Sequence, residues 1–310
     1  MKEYVQNENI SSLTKKIRNI GEYRSCFNNI SKEAYCVEKL LAEVNKHNES
    51  WDLIGYCQCC EKEAKFKIDW LYSNGNMPNY RERAVCSECG LNNRQRYVSN
   101  YLKSLIKDFD NIEEKTIYCY EQVTSFYEYV KSLNKNYNFN LIGSEYLGYD
   151  KKPGEVINGL RHEDALNLSF QDESIDIIVS NDVYEHVPDI EKAMQEAYRV
   201  LKKGGKLIFS IPFYASENKT KKRAELRNGE IQHIMPNQYH GNPVSEEGSL
   251  VFYDFGWDLM DICKRVGFND SYMLSYYSLF YGYLGFMQFI FVAEKSKYRF
   301  KLFDIFKKIY

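Results

Sequence analysis

The sequence predicts an α/β fold, a parallel sheet with helices on both faces. Three observations carry this expectation. Short β-rich runs alternate with helical spacings from residue 116 onward, the pattern of strands joined by crossover helices. Helix-end signals fall between the runs: Ser125 and Glu128 have capping-box spacing, and Lys202-Lys203-Gly204-Gly205 places cations and glycines at a helix C-terminus. The composition, 44% hydrophobic and 27% charged over 310 residues, is that of a globular chain with room for one large domain or two ordinary ones.

Taken in order, residues 1–50 are polar with helical spacing, through Leu13, Ile17 and Ile20 and then Val37, Leu40, Leu41 and Val44. Residues 51–97 hold a crowd of cysteines. TIYCYE (116–121) reads as the first strand, 124–133 as a helix, FNLIGSE (139–145) as the second strand and IDIIVSND (175–182) as the third. An amphipathic helix over 190–201 leads into a buried strand, KLIFSIPF (206–213). A polar insert runs to about 250, a helix over 258–266 ends at Gly267, and strands near 271–278 and 286–293 finish the chain. The expected units are therefore 1–50, 51–97, 98–294 and a basic amphipathic tail, 295–310.

Charge narrows the function classes. Forty-one Lys plus Arg against forty-three Asp plus Glu give −2, which disfavours a protein whose main task is gripping nucleic acid. No run reaches the roughly 18 apolar residues of a spanning helix; the richest, 280–293, is shorter and carries Gly282, Gly285 and Gln288. The first residues lack an apolar signal core. A cytoplasmic protein is expected.

Five of the nine cysteines lie in one short segment. Cys57-x-x-Cys60 and Cys86-x-x-Cys89 are two knuckles separated by 25 residues, with Gly90 after the second. Four thiolates from two such turns close a tetrahedron around zinc. A redox motif would not explain two pairs. The spacer, holding Trp70, Gly75 and Pro78, is expected to form a ribbon hairpin, and Cys59 to point away. Closed on four sulfurs, the site is structural. Arg94 and Arg96 follow it and are expected to join the ribbon to the next domain through carboxylates or backbone carbonyls, in preference to binding a phosphate.

From Arg161 the chain reads RHEDALNLSFQDESIDIIVSNDVYEHVPDIEKAMQEAYRVLKKGGKLIFSIPF. This resembles class I S-adenosylmethionine-dependent methyltransferases of the methyltransferase type 11 family, densely over 155–215 and more loosely over 116–293. The resemblance implies a Rossmann-like domain with a seven-stranded, mostly parallel sheet, and S-adenosylmethionine as cofactor beside zinc. An acid ending the second strand can accept hydrogen bonds from ribose hydroxyls; Glu145, with Tyr146, matches that position. Asp164 and Ala165 match the adenine contacts, Asn181 and Asp182 the methyl-donor site, and Glu121 the partner of the cofactor's ammonium group.

One feature departs from the family. Its first loop carries glycines that let backbone approach the methionine moiety, whereas here the chain reads Glu121-Gln122-Val123-Thr124-Ser125. Gly143-Ser144-Glu145-Tyr146 and Tyr239-His240-Gly241 resemble a subgroup in which the glycine loop is replaced.

For an oxygen or nitrogen acceptor, histidine is the natural base near neutral pH. His186 follows the third strand, and His240 lies in the polar insert; with Asp182 they are the candidate catalytic residues. The bland alternatives are a histidine that fixes a turn and one that stabilises a loop. Lys219, Lys221, Lys222, Arg223 and Arg227 form a basic run, read first as a solvated face and second as a mouth for an anionic substrate. In the tail, Leu302, Phe303, Phe306, Ile309 and Tyr310 share one helical face against Lys301, Lys307 and Lys308, which suits either docking on the chain's own body or peripheral contact with anionic lipid. The leading expectation is methyl transfer to a small-molecule or saccharide-type acceptor. The alternatives are an RNA or protein methyltransferase and a methyltransferase-like binding scaffold without turnover.

Overall fold

The computed structural model describes residues 12–73 and 75–297. The amphipathic face expected at 302–310 lies outside the described residues.

A seven-stranded sheet forms the centre of the chain. Its strands are β1 (Ser12–Ile17), β5 (Thr116–Cys119), β6 (Asn140–Gly143), β7 (Ile175–Asn181), β8 (Leu201–Ser210), β13 (Asp270–Ser278) and β14 (Tyr283–Glu294). They lie in the order β1-β13-β14-β8-β7-β5-β6. Neighbours among β6, β5, β7 and β8 run parallel, while β14 is antiparallel to β8 and β13, and β1 is antiparallel to β13. The expected sheet was mostly parallel; the sheet is mixed, with three of its six strand pairings antiparallel. β7 explains why the centre was readable: six consecutive residues of IDIIVSN are buried, as a strand covered on both faces requires.

The helices are α1 (Ile20–Asn45), α2 (Asn93–Lys107), α3 (Ser125–Tyr137), α4 (Ile190–Val200) and α5 (Leu259–Val266). Apolar residues of α4 and α5, including Met194, Ala197, Leu259 and Cys263, pack on one face with Ile178, Leu207 and Phe209. Those of α2 and α3, including Val98, Leu102, Phe126 and Val130, pack on the other with Ile117, Val179 and Ile208. α3 is capped by Thr124, whose hydroxyl accepts from the Tyr127 N–H at 3.2 Å, one residue earlier than expected.

Two local readings are corrected. Residues 12–17 form an edge strand, not a helix, because β13 offers its backbone ladder there over Met273–Ser278. Lys202 to Gly205 do not cap α4. They form an irregularity where β8 enters the sheet: Leu201 pairs with Ile175 and Lys206 with Ile177. A Cβ on Gly205 would stand 2.8 Å from the Lys202 carbonyl oxygen and 3.0 Å from that of Asp176.

The cysteine segment is a three-stranded sheet of β2 (Ser50–Cys57), β3 (Lys62–Asp69) and β4 (Val85–Cys86). β3 pairs antiparallel on one side with β2, which runs into the first knuckle, and on the other with β4 through Phe66–Cys86 and Lys67–Val85, so the spacer folds back on itself at its two ends. This module is lashed to the turn between β13 and β14. The Tyr56 N–H donates to the Phe280 carbonyl at 2.9 Å. Arg96, 1% exposed, donates to the carbonyls of Tyr281 (2.5 Å), Gly282 (2.7 Å) and Ala84 (3.1 Å) and lies 4.1 Å from the Phe66 ring centre. The approach leaves no room for side chains at two points: a Cβ on Gly55 would fall 2.2 Å from the Phe280 carbonyl, and one on Gly282, at φ +64°, would meet the Phe66 ring at 2.3 Å.

Replacing Arg96 by Ala strands three buried carbonyls and opens a cavity. At about 1–3 kcal/mol for each buried group left unsatisfied, with partial relaxation, the loss should be about 3 kcal/mol. A urea transition of Arg96→Ala within 1 kcal/mol of the parent would contradict this clamp.

Candidate functional site

Ligands of open α/β sheets lie beyond the carboxyl ends of the strands, and the predicted cofactor residues converge there. Cys119 ends β5, and Glu121 follows, buried. One Glu121 oxygen accepts from the Thr124 hydroxyl and the other from the Asn181 amide at 2.5 Å. Asn181 ends β7, and its own oxygen accepts from Ser210 at 3.3 Å. Glu145, two residues past β6, is also buried.

Glu145 holds the first loop, which has no glycine. Its Oε1 accepts from the N–H groups of Gln122 (2.6 Å) and Val123 (3.0 Å), pinning the first loop. Gln122 uses its side chain to clip the neighbouring turn, donating to the Gly159 carbonyl at 3.1 Å and accepting from the Arg161 N–H at 2.9 Å. Burial raises the Glu145 carboxyl above its ordinary value, against the lowering effect of the two N–H groups. Burial likewise raises Glu121, opposed by Asn181 and Thr124.

Asp164 is half-buried and accepts from the Leu166 N–H at 2.8 Å, a turn-stabilising bond that leaves its second oxygen uncommitted by that contact. Ala165 packs against the core beside it. Tyr146 is half exposed, its ring 5.4 Å from that of His162. His162, given no role from the sequence, is buried and its Nδ1 accepts from the Leu147 N–H at 2.9 Å. It bridges to Glu145 in parallel sense, so it fixes the chain on which Glu145 and Tyr146 sit.

Asp182 is held in an ion-pair network. Arg81 donates to both of its oxygens, at 2.7 and 3.0 Å, and Arg94 lies 3.2 Å away. Ser210 adds a bond at 3.0 Å, and Glu82 bridges the two arginines. Burial works to raise Asp182, but Arg81 and then Arg94 outweigh it and hold the carboxyl below its usual range. The backbone at Asp182 sits at φ +51°, a region few residues other than Gly, Asn and Asp adopt. Arg94 and Arg96 thus join module to domain through carboxylates and carbonyls, as expected. Arg81 and Glu82, in a loop without regular pattern, gave no sequence signal.

His186 and His240 are brought together, their rings 5.1 Å apart at 89°. Between them lies Glu185, fully buried, 3.6 Å from His186 Nε2 and 3.5 Å from His240 Nδ1. His240 sits on a hairpin of β11 (Tyr239–Asn242) and β12 (Ser245–Leu250), the second of two hairpins in the polar insert; the first pairs β9 (Ala224–Arg227) with β10 (Glu230–His233). In the basic run Lys221, Lys222, Arg223 and Arg227 pair with Glu217, Glu225, Asp254 and Glu225. These acids argue for the solvated face over the anionic mouth.

The sulfurs of Cys57, Cys60, Cys86 and Cys89 lie within 4.8 Å of one another, with Cys57–Cys89 at 4.0 Å and Cys60–Cys86 at 3.9 Å. Ligands at about 2.3 Å around a tetrahedral zinc stand about 3.8 Å apart, so the sulfurs fit that ion. Burial, then the charges of Cys57 and Cys86, push the Cys60 thiol up to about 12; a cation among the sulfurs would reverse this. Cys59 faces away and donates to the Arg96 carbonyl at 3.1 Å.

Part of this chain is similar to known proteins. Residues 115–209 match the family described as "Methyltransferase domain". The arsenite methyltransferase of Aquipseudomonas alcaligenes is 36% identical over 108 residues, 35% of this chain and 26% of that one. Its Mus musculus counterpart is 50% identical over 72 residues, 23% and 19% of the respective chains. The matched segments therefore span about a quarter or less of these relatives. Among solved structures, a Haemonchus contortus phosphoethanolamine N-methyltransferase 2 with S-adenosyl-L-methionine aligns with 66% of this chain and 41% of its own, at 16% identity and a TM-score of 0.36. Residues 115–209 of this chain are thus those of a methyltransferase domain.

The buried Glu121 and the half-buried Asp182 should respond oppositely to pH. Asp182, depressed when folded, contributes stability that is full above its ordinary value near 4 and is lost as pH falls through the lower folded value. Asp182→Ala should cost about 3 kcal/mol at pH 7, and the deficit should shrink in acid. Glu121, raised when folded, contributes best below about pH 4 and loses that contribution as pH rises. Glu121→Gln should therefore match or exceed parental stability at pH 7. Urea transitions from pH 3 to 8 read both, and parallel behaviour of the two variants would refute the assignment.

Proposed function

We propose that this chain transfers a methyl group from S-adenosylmethionine to a small-molecule or saccharide-type acceptor, on a domain braced by a structural zinc. The supporting observation is the convergence of Glu121 and Glu145, both buried, at the carboxyl ends of adjacent parallel strands, with Asp164 on the next segment. Both N–H bonds to Glu145 fall on Oε1, so Oε2 is available to accept from ribose hydroxyls. Tyr146, Asp164 and Ala165 would flank the adenine. Glu121, with Asn181 beside it, would accept from the ammonium group; an added cation would also relieve the desolvation that raises its carboxyl.

When bound, the cofactor supplies an electrophilic methyl group on a sulfonium. The acceptor must be held in line with it and sheltered from water. His186 and His240, with Glu185, would face the acceptor. Asp182, its oxygens taken by guanidiniums, would position Asn181 and the end of β7. The relatives named as arsenite methyltransferases, and a demethylmenaquinone methyltransferase of Alkalihalophilus pseudofirmus 35% identical over 79 residues, support a small acceptor. Cys57, Cys60, Cys86 and Cys89 would hold the zinc, which closes the module that carries Arg81, Arg94 and Arg96.

Calorimetric titration with S-adenosylhomocysteine tests the cofactor site. Binding should weaken by about 1.5–3 kcal/mol in Glu145→Ala, the range for a hydrogen bond to a charged group, and also fall in Asp164→Ala. No binding by the parent would favour the scaffold without turnover.

A further inference from the structure

Glu185 is the most exposed contradiction in the interior. Its side chain is 0% exposed, and neither carboxylate oxygen has a hydrogen-bond partner. A buried carboxylate in that state is costly unless a cation joins it. What lies beside it is a pair of imidazoles aimed at one oxygen: His186 Nε2 at 3.6 Å and His240 Nδ1 at 3.5 Å from Oε1. These separations are too long for hydrogen bonds. They match two ligands of one ion, since donors about 2.0–2.1 Å from a tetrahedral zinc stand about 3.4 Å apart.

The outer contacts point the same way. His186 Nδ1 lies 2.8 Å from the Leu250 carbonyl oxygen, which can only accept, so Nδ1 carries the proton. In the neutral ring Nε2 then turns a lone pair, not a proton, toward Glu185. His240 Nε2 lies 3.2 Å from the side-chain amide of Gln238; with that amide turned over, its oxygen accepts from Nε2–H and Nδ1 is left as a ligand. Metal-bound imidazoles usually donate their second N–H to a carbonyl or carboxylate in this manner.

We infer that Glu185, His186 and His240 form a second metal site, distinct from the four cysteines, that takes a first-row divalent cation such as zinc. Glu185, His186 and His240 supply one oxygen and two nitrogens, a donor set known to hold catalytic zinc or non-haem iron. Three protein ligands leave a position open, which suits an oxygen of water or of a hydroxyl-bearing or anionic acceptor. The placement connects two parts of the chain. Glu185 and His186 sit in the turn after β7, four and five residues past Asn181, while His240 comes from the β11–β12 hairpin. A cation here would draw that hairpin onto the end of the sheet. Among the described residues, only this group and the four cysteines gather three or more such ligands.

Zinc content of the full chain, equilibrated with excess Zn²⁺ and desalted, decides the matter, whether or not the chain transfers methyl groups. The parent should hold about two equivalents, and Glu185→Gln and His240→Ala about one, if both sites bind as four- and three-ligand zinc centres. Cobalt added to protein already holding one zinc should give visible d–d absorption without strong sulfur charge transfer, and this should vanish in His240→Ala. A parent holding about one equivalent, or variants holding two, would overturn the site. A second measurement needs no variant: zinc should protect His186 and His240 from diethyl pyrocarbonate while exposed His233 still reacts. Equal modification with and without zinc would be equally fatal.

Discussion

The arrangement of the site rests on one largely covered ion-pair network, the carboxylate of Asp182 between Arg81 and Arg94. An isolated charge in this half-buried position would be costly; two guanidiniums and a carboxylate, with Glu82 and Ser210 completing the set, satisfy one another. Such networks fix geometry more than they add stability, because desolvation offsets most of the attraction. Here the partners come from different units: Arg81 and Arg94 from the cysteine module and the helix after it, Asp182 and Ser210 from the ends of β7 and β8. The module is consequently a buttress for the carboxyl ends of β7 and β8. Arg96, gripping the β13–β14 turn, prevents it from swinging about that contact.

The first loop is held in place by its own side chains. Glycine lets backbone come close to a ligand by removing side chains. Here side chains are present and have been given tasks: Gln122 clips residues 159–161, Thr124 caps α3 and bonds Glu121. Glu145 holds the loop with one oxygen, so the loop and the acid assigned to ribose are mechanically a single object. A ligand bound by Glu145 would feel changes at Gln122 without touching it.

How much of this could be read beforehand varied with the physics of each part. β7 was plain because a strand buried on both faces is apolar without interruption. The cluster of four cysteines was plain because two closely spaced pairs stand out in the sequence and their sulfurs do gather. β1 was misread because Leu13 and Ile17 are four apart, a spacing that suits one face of a helix and one face of a strand equally; only the free edge of β13 decides. The Lys-Lys-Gly-Gly run was misread because glycines ending a helix and glycines in a strand irregularity have the same composition. Glu121, Glu145, Asn181 and Asp182 were singled out through the family resemblance, and the structure brings Glu121 and Asn181 into direct contact. Glu185 was overlooked, although it precedes His186 directly, since adjacent residues rarely face one target; the short 3₁₀ turn over Tyr184–His186 allows it. Arg81 belongs to a loop whose direction depends on the whole module.

The six residues of β1 have a further consequence. β13 is nine residues long, rich in tyrosine, and carries no proline and a single charge, Asp270. β1 covers its outer ladder from Ile17 to Ser12, and Arg18 closes over Asp270 at 2.8 Å. Trimming the chain at residue 51, where composition alone would place a boundary, would uncover a long, flat hydrogen-bonding edge of the sort that recruits strands from other molecules. The polar N-terminal segment is thereby an intramolecular safeguard against edge-to-edge aggregation.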